Sequence, residues 1–186
     1  MSRFDCSTTE IAGLVVLERR LIGDSRGYFE RIFCTKDLDD LVGDRRIEQV
    51  NHTLTRRAGT IRGLHFQYPP YSEMKLVTCL RGCVYDVAVD MRRDSPTFGS
   101  WHSEMLAADN HRMLVIPEGF AHGFQTLTDD CELLYLHTAG YQADAEGGID
   151  AFDPFLAIEW PLAPVERSDR DQRHPPLKPD FNGIPV

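Results

Sequence analysis

The sequence predicts an all-β fold, either a sandwich, a jelly roll or a barrel, and two observations lead to this prediction. Between about residues 12 and 138, short runs of β-branched and aromatic residues alternate with turn residues. Only one segment, residues 35–42, has the pattern of a helix. Many short strands with almost no helix are typical of antiparallel sheets that pack together or close on themselves.

Each predicted strand is a run bounded by turn residues, and the single helix has a pattern of its own. Residues 35–42 are predicted to be helical because Thr35 can cap the N-terminus while Leu38, Leu41 and Val42 share one face. The predicted strands, in chain order, are residues 14–18, 28–33, 47–54, 60–67, 75–80, 83–90, 101–107, 112–116, 123–127 and 132–138.

The strand at residues 83–90 carries two more specific expectations. Tyr85, Val87 and Val89 fall on one side of it, which predicts a strand that is buried on one face only. The Arg81-Gly82 pair that precedes it is short enough for a hairpin turn, so the strands on either side are expected to pair.

After Gly140 the pattern changes, because Gly and Pro pairs interrupt any long element at 147–148, 153–154, 160–161 and 163–164. Residues 175–186 contain four prolines and are expected to lie as an irregular tail over the surface or on a partner subunit. We therefore expect one domain, residues 1–186, with a core of about residues 12–140 and a C-terminal extension, residues 141–186.

Length, composition and charge narrow the functional class. The chain has 186 residues and a mass of 21.2 kDa, with 42% hydrophobic and 26% charged residues, which is an ordinary globular balance. The formal net charge of −9 argues against a nucleic-acid partner, because such proteins neutralise phosphates with a basic surface. No apolar run approaches the ~20 residues that cross a bilayer, and the first residues lack the apolar stretch of a signal peptide. We expect a cytoplasmic protein without a membrane partner, whose five cysteines are free thiols.

Two of the seven histidines have positions that indicate a site. His65 lies in a predicted strand near Gly63, where a ligand can approach the backbone closely. Pro117-x-Gly119-x-x-His122 resembles the second cupin motif, and Gly59 with His65 resembles the start of the first. A metal-binding cupin has another histidine two residues after the first, where this chain has Gln67. We therefore expect no metal. His52, His102, His111 and His174 are expected to be solvated, and His137 should share a face with Tyr135.

A histidine can still perform chemistry in a pocket without a metal. A neutral imidazole acts as a base near pH 7, particularly when a carboxylate orients it, and Asp169 and Asp171 are candidates for that carboxylate. Tyr135 could donate a proton, and Lys75 could stabilise an oxyanion. Taken singly, Tyr135 fits a core position, Lys75 a strand end and Asp171 the surface. For His65 the structural and the catalytic interpretation fit equally well.

Several segments occur in the same order as in one known family. Together they resemble the dTDP-4-dehydrorhamnose 3,5-epimerase family, whose members are cofactor-independent nucleotide-sugar epimerases with a jelly-roll cupin fold. The resemblance extends from about residue 24 to residue 171. The segments that carry it are Arg62-Gly63-Leu64-His65, Lys75-Leu76-Val77, Asp86-Val87-Ala88-Val89-Asp90, Ser95-Pro96-Thr97-Phe98-Gly99 with Trp101, Pro117 to Phe124, Tyr135, Asp153-Pro154 and Trp160-Pro161.

The resemblance implies a fold, a substrate and a set of site residues. It implies two packed antiparallel sheets, a homodimer in which each site borrows residues from its partner, and a dTDP-4-keto-6-deoxyhexose that is inverted at C3, C5 or both. It also implies that His65 removes a proton with Asp171 orienting it, that Lys75 stabilises the enolate oxygen, and that Tyr135 reprotonates the carbon from the opposite face. The substrate-binding residues that it implies are Arg26, Phe29, Gln49, Asn51, Arg62, His122, Tyr141 and Arg170.

Two features depart from a simple transfer of the family pattern. Glu30-Arg31 stands where the family has an apolar residue and then Glu. A positive side chain thus replaces the carboxylate that contacts the nucleotide end in the family, which argues against a simple transfer of its preference for thymine. Strict alternation would also place Arg62 and His65 on opposite faces of their strand, so either a bulge at Gly63 redirects one of them or Arg62 serves the neighbouring subunit. The alternatives are an epimerase that inverts one centre only, a relative that uses another nucleotide, and a cupin that binds a sugar without converting it.

Overall fold

Two antiparallel sheets and a short hairpin account for the strands of the computed structural model, which describes residues 2–186. The strands are β1 (Phe4–Thr8), β2 (Val15–Arg19), β3 (Ile22–Asp24), β4 (Gly27–Phe29), β5 (Gln49–Thr55), β6 (Ile61–Gln67), β7 (Lys75–Arg81), β8 (Cys83–Asp90), β9 (Trp101–Ala107), β10 (Arg112–Ile116), β11 (Phe120–Thr126), β12 (Cys131–His137) and β13 (Glu146–Gly148). The helices are α1 (Asp39–Val42) and α2 (Asp169–Gln172), with a 3-10 turn at Ala143–Ala145.

The strand order is that of a sandwich. One sheet has six strands in the order β1-β2-β10-β7-β12-β5, and the other has five in the order β13-β6-β11-β8-β9, while β3 and β4 pair only with each other. The predicted fold class, an all-β jelly roll with few helices, is confirmed. Among the described residues, no helix has the length and hydropathy needed to cross a membrane.

The core lies between the sheets and continues over the outer face of the five-stranded sheet. Leu106, Leu114 and Leu133 are fully buried in the cluster between the sheets. A separate cluster joins Val87 and Val89 of β8 to residues of the C-terminal extension, namely Ile149, Leu156 and Ile184. The expectation that β8 is buried on one face only is therefore wrong, because the C-terminal extension covers the face that would otherwise be in water.

The C-terminal tail is irregular, as predicted, and lies over this chain's own sheet. Ile184 is fully buried and forms a parallel bridge with Arg92. Its backbone N–H donates to the carbonyl of Met91 at 2.7 Å. Each fixed tail residue loses conformational entropy, and the burial of an isoleucine side chain offsets that cost.

Three local predictions are wrong for identifiable reasons. Arg81 and Gly82 do not form a hairpin, because Gly82 (φ +79°) carries the chain from one sheet to the other, where β8 pairs with β9 and β11. The strand expected at 28–33 ends at Phe29, since Glu30 turns inward to accept a hydrogen bond from Arg19 Nε. The helix begins only at Asp39, and its N-cap is Leu38 rather than Thr35.

A bulge in β6 places two functional candidates on the same side of the strand. His65 pairs with His122 and Arg62 pairs with Phe124, so that two residues of β6, Gly63 and Leu64, oppose a single residue of β11. The extra residue reverses the alternation beyond it. Arg62 and His65 consequently both face the space between the sheets, and Leu64 packs in the outer cluster. Of the two explanations considered from the sequence, the bulge is confirmed.

We expect Gly63→Ala to destabilise the protein by about 2 to 4 kcal/mol and to displace Arg62 and His65. Gly63 has a φ of +118°, and a Cβ there would lie 2.6 Å from the Cα of Gly123. Urea unfolding measures the loss. Gly140→Ala is the matched control, because a Cβ at Gly140 would meet nothing within 4 Å. Equal stabilities for the two variants would contradict this account of the bulge.

Candidate active site

A polar cavity of about 190 Å³ opens between the two sheets at the bulge. Strands β5, β7 and β12 of one sheet and β6 and β11 of the other contribute its walls. A second cavity of about 260 Å³ shares Arg62 and His65 with it and also contacts Asp171. We call the first of these the inter-sheet cavity. Its ten lining residues include no acidic residue and are Asn51, Thr53, Arg62, His65, Lys75, His122, Gly123, Phe124, Tyr135 and His137.

His65 and Asp171 form a hydrogen-bonded pair at the edge of the inter-sheet cavity. His65 Nε2 lies 2.9 Å from Asp171 Oδ1, and the backbone N–H of Gly63 donates to Asp171 Oδ2 at 3.3 Å. Asp171 is 3% exposed and is held by α2, which Ser168 caps by accepting from the Asp171 N–H. Burial alone would raise the pKa of Asp171, but the hydrogen bond and charge of His65 outweigh it and lower this pKa to about 2. The carboxylate therefore stays ionised and orients the imidazole.

Arg170, Tyr141 and Glu146 form a polar rim beside this pair. Arg170 Nη1 donates to Glu146 Oε2 at 2.8 Å, and the Tyr141 hydroxyl donates to the same oxygen at 3.0 Å. Arg170 Nη2 also lies 3.3 Å from His65 Nε2. Tyr141 is half exposed, so its ring is accessible to a ligand at the mouth of the site.

His122 lines the inter-sheet cavity beside His65, on the neighbouring strand, and Tyr135 lines it from the other sheet. His122 Nε2 lies 2.9 Å from both carboxylate oxygens of Asp86, and both side chains are buried. The Tyr135 ring meets the His122 ring edge to face at 6.2 Å and stacks on His137 at 6.0 Å. Burial, together with the negative charge of Asp86, raises the pKa of Tyr135 above its ordinary value, so the phenol remains protonated.

Lys75 lies in a buried network that the sequence analysis did not anticipate. Lys75 Nζ is 3.2 Å from Glu73 Oε1 and donates to the carbonyl of His65 at 3.4 Å. Glu73 Oε2 lies 2.9 Å from His137 Nδ1, and His137 Nε2 lies 3.3 Å from Asn51 Nδ2. Lys75 is therefore not a strand-end side chain that reaches into solvent, because it is only 8% exposed.

Sequence reasoning missed Glu73 and the role of Asp86. Asp86 lies on the face of β8 that also carries Val84 and Ala88, which belong to the core cluster between the sheets. A carboxylate on such a face needs a buried partner, and this requirement could have identified its pairing with His122. Glu73 precedes its strand in an irregular segment, and nothing in its sequence context indicates that it is buried.

The structure brings most, but not all, of the candidate binding residues to one place. Gln49 donates to Asn51 at 3.1 Å and accepts from the Tyr141 N–H, so it joins the inter-sheet cavity to the rim. Arg26 and Phe29 lie elsewhere, on the exposed β3–β4 hairpin, where Arg26 pairs with Asp24. Within one chain these two residues do not reach the inter-sheet cavity.

His174 is not solvated as expected, and it completes a cluster of potential metal ligands. It is partly buried against the His65 ring, at 5.4 Å between centroids. One ligand atom each from His65, Asp171 and His174 lies within 4.8 Å of the others. The His65 and Asp171 atoms already hydrogen-bond to each other, and the Arg170 guanidinium beside them repels a cation. We therefore assign the His65 and Asp171 atoms to their hydrogen bond rather than to a metal site.

The depressed pKa of Asp171 predicts a stability difference that depends on pH. Above the ordinary carboxyl pKa of about 3.9, Asp171 is ionised in both the folded and the unfolded state, and its partners contribute about 2 kcal/mol. This contribution is lost as the pH falls through about 2. Unfolding in urea between pH 6 and pH 2 should show wild type and Asp171→Asn converging below about pH 4. Asp169→Asn, at the exposed neighbouring position, is the control. A gap that stays constant with pH would contradict the assignment.

Known proteins similar to this chain share both its sequence and its fold. The family model described as dTDP-4-dehydrorhamnose 3,5-epimerase matches residues 8–179. A dTDP-4-dehydrorhamnose 3,5-epimerase from Shigella flexneri is 45% identical over 165 residues, which are 88% of this chain and 90% of that protein.

Two solved structures illustrate the similarity in three dimensions. One is dTDP-6-deoxy-D-glucose-3,5-epimerase RmlC from Legionella pneumophila in complex with dTDP-4-keto-L-rhamnose, with a TM-score of 0.90, 37% identity and coverage of 98% of this chain and 97% of that one. The other is ChmJ, a 3'-monoepimerase from Streptomyces bikiniensis in complex with dTDP-quinovose, with a TM-score of 0.84, 33% identity and coverage of 90% and 85%. By the matching family model and this level of identity, the chain belongs to the dTDP-4-dehydrorhamnose 3,5-epimerase family.

Proposed function

We propose that the protein inverts C3 and C5 of dTDP-4-keto-6-deoxyhexose by proton abstraction on one face of the sugar and reprotonation on the other. The observation that carries the proposal is the placement of His65 and Tyr135 in one cavity on strands of opposing sheets. Inversion needs a base and an acid on opposite faces of the same carbon, because a single group would return the proton to the face it left.

In this mechanism His65 is the base. The 4-keto group acidifies the protons at C3 and C5, since the resulting carbanion delocalises into an enolate. His65 Nε2 faces Asp171, which leaves Nδ1 as the nitrogen for the substrate proton, and the ionised carboxylate stabilises the imidazolium that forms. Lys75 offers an ammonium N–H to the C4 oxygen as negative charge develops there.

Tyr135 is the acid that completes the inversion. Its raised pKa keeps the phenol protonated until the strongly basic enolate carbon accepts the proton. One inversion leaves His65 protonated and Tyr135 ionised, and exchange with water restores both groups.

The diphosphate and nucleotide would occupy the basic and aromatic surroundings of the inter-sheet cavity. Neither cavity alone reaches the roughly 300 Å³ at which small-molecule sites begin, and they meet at Arg62 and His65. Arg62 and Arg170 suit bidentate contacts to phosphate, and Tyr141 can stack on a base. Gln49, Asn51 and His122 would contact the sugar or the diphosphate.

A direct test follows C3 and C5 exchange in deuterium oxide by NMR with the dTDP-4-keto sugar as substrate. Exchange at both centres supports the proposal. Exchange at one centre indicates a single-centre epimerase, as the name 3'-monoepimerase says of ChmJ. No exchange at either centre indicates a protein that only binds sugar. Each outcome therefore selects one of the three functions.

We expect His65→Asn to lower exchange at both centres by about 10²- to 10⁴-fold, because the base is lost. Tyr135→Phe should reduce net inversion more than the initial exchange. The matched control is His102→Asn, since His102 Nε2 also lies near a carboxylate, 3.6 Å from Glu104, but outside the inter-sheet cavity. An unchanged rate in His65→Asn would show that another group is the base.

A homodimer would explain the position of Arg26 and Phe29, and we propose that one forms through the β3–β4 hairpin. Ile22, Tyr28 and Phe29 are exposed on this hairpin, and Val50 is exposed on β5, the strand at one edge of the six-stranded sheet. Apolar side chains at such positions are typical of surfaces covered by another protein. Docking of the hairpin on the partner's β5 would bring Arg26 to the partner's site.

We expect wild type to elute near twice 21.2 kDa in gel filtration with light scattering, and Phe29→Glu to elute near 21.2 kDa with reduced epimerase activity. The substitution places a charge where the proposed contact buries an aromatic ring. Phe155→Glu is the matched control, since Phe155 is similarly exposed but lies in the C-terminal extension, away from the hairpin. Monomeric wild type would refute the homodimer.

A further inference from the structure

Glu73 lies behind the wall of the inter-sheet cavity and joins two of its lining residues. Its side chain is 8% exposed and does not itself line the cavity. One carboxylate oxygen contacts Lys75 Nζ at 3.2 Å, and the other contacts His137 Nδ1 at 2.9 Å. A buried carboxylate with both oxygens engaged can fix the position of each partner.

The hydrogen bonds around His137 define its tautomer. Asn51 Oδ1 accepts from Gln49 Nε2, so the Asn51 amide nitrogen faces His137 and donates to Nε2. Nδ1 of His137 therefore carries the hydrogen and donates it to Glu73. The neutral imidazole stacks on the Tyr135 ring, with 18° between the planes. Glu73 thus restrains Lys75 directly and Tyr135 through His137.

One N–H of the Lys75 ammonium remains free for a ligand, because the other two are directed at protein groups. An ammonium group has three N–H donors. One faces Glu73 and one faces the His65 carbonyl, and the side chain still lines the inter-sheet cavity. Arg62 and the imidazoles of His65 and His122 line the same cavity, and Glu73 is the carboxylate that contacts the Lys75 ammonium.

We propose that Glu73 is a positioning residue for epimerisation, which holds the Lys75 ammonium at the wall of the inter-sheet cavity so that its free N–H meets the C4 oxygen of the sugar. This inference rests on the proposed function. Glu73 acts through Lys75 and contacts no substrate atom, so its removal should affect the rate of enolate formation rather than substrate binding.

A double-mutant cycle tests this role with the full-length protein and the dTDP-4-keto sugar. Lys75→Met should lower kcat for exchange about 100- to 1000-fold. Glu73→Gln, which keeps the side chain's shape but removes its charge, should lower kcat about 10- to 100-fold with KM unchanged. Because both act on one interaction, the double variant should be no slower than Lys75→Met alone.

The control is a second carboxylate that lies between a histidine and a basic side chain. Glu104 lies between His102 (3.6 Å) and Arg112 (2.7 Å), outside the inter-sheet cavity, and Glu104→Gln should leave kcat unchanged. The inference would be overturned if the losses of kcat multiplied in the double variant. It would also be overturned if Glu73→Gln lowered the Tm but left kcat unchanged. If Glu73→Gln does not fold, the double variant, which removes both charges, still decides through its comparison with Lys75→Met. Wild type without exchange would instead refute the proposed function.

Discussion

The hydrogen bond between His65 and Asp171 joins parts of the chain that are 106 residues apart, and helix α2 of the C-terminal extension depends on it. Helix α2 has only four residues, too few to be stable by its own hydrogen bonds. It is fixed instead by the buried Asp171 carboxylate, by its Ser168 cap and by Arg167, which donates to the Asp171 carbonyl. The same contacts orient the imidazole, so the extension is part of the site rather than an appendage to the fold.

Charge balance explains how a sandwich tolerates so polar a cavity inside its core. Buried charges are costly unless they are paired and hydrogen-bonded. Behind the basic lining of the inter-sheet cavity, Asp86 pairs with His122, Glu73 with Lys75 and His137, and Asp171 with His65. An anionic ligand in the inter-sheet cavity thus meets Arg62, Lys75 and imidazole rings, while the acidic partners lie behind that lining. The residues that would bind substrate are therefore also held by the interactions that make their burial possible.

The sequence predicted what depends on local pattern and missed what depends on distant contacts. Strands β6, β8, β9 and β10 follow from runs of β-branched and aromatic residues, and the sheet class follows from their number. Strands β1, β3 and β13 were not predicted, because they lack such runs and owe their conformation to pairing partners.

The candidate site divides in the same way. His65, Lys75, Tyr135 and Asp171 were candidates from the sequence, and the family resemblance implied their roles. Their meeting could not be derived from spacing because they lie on four separate elements. The bulge at Gly63 was one of two explanations that alternation alone left open. Glu73 and His174 were missed, since their burial depends on segments without periodicity.

The rigid placement of His65 and Tyr135 on opposing sheets has a consequence for stereochemistry. If the base and the acid are fixed, two centres can be inverted only when the sugar ring presents C3 and C5 to them in turn. Both carbons neighbour the C4 carbonyl, so a rotation of the ring within its own plane can bring each in turn between the base and the acid, with the same face towards His65 and the C4 oxygen still near Lys75. Under the proposed mechanism, an enzyme that inverts one centre and one that inverts two can share all four residues. The freedom of the bound ring, which the walls of the inter-sheet cavity limit, then decides between them.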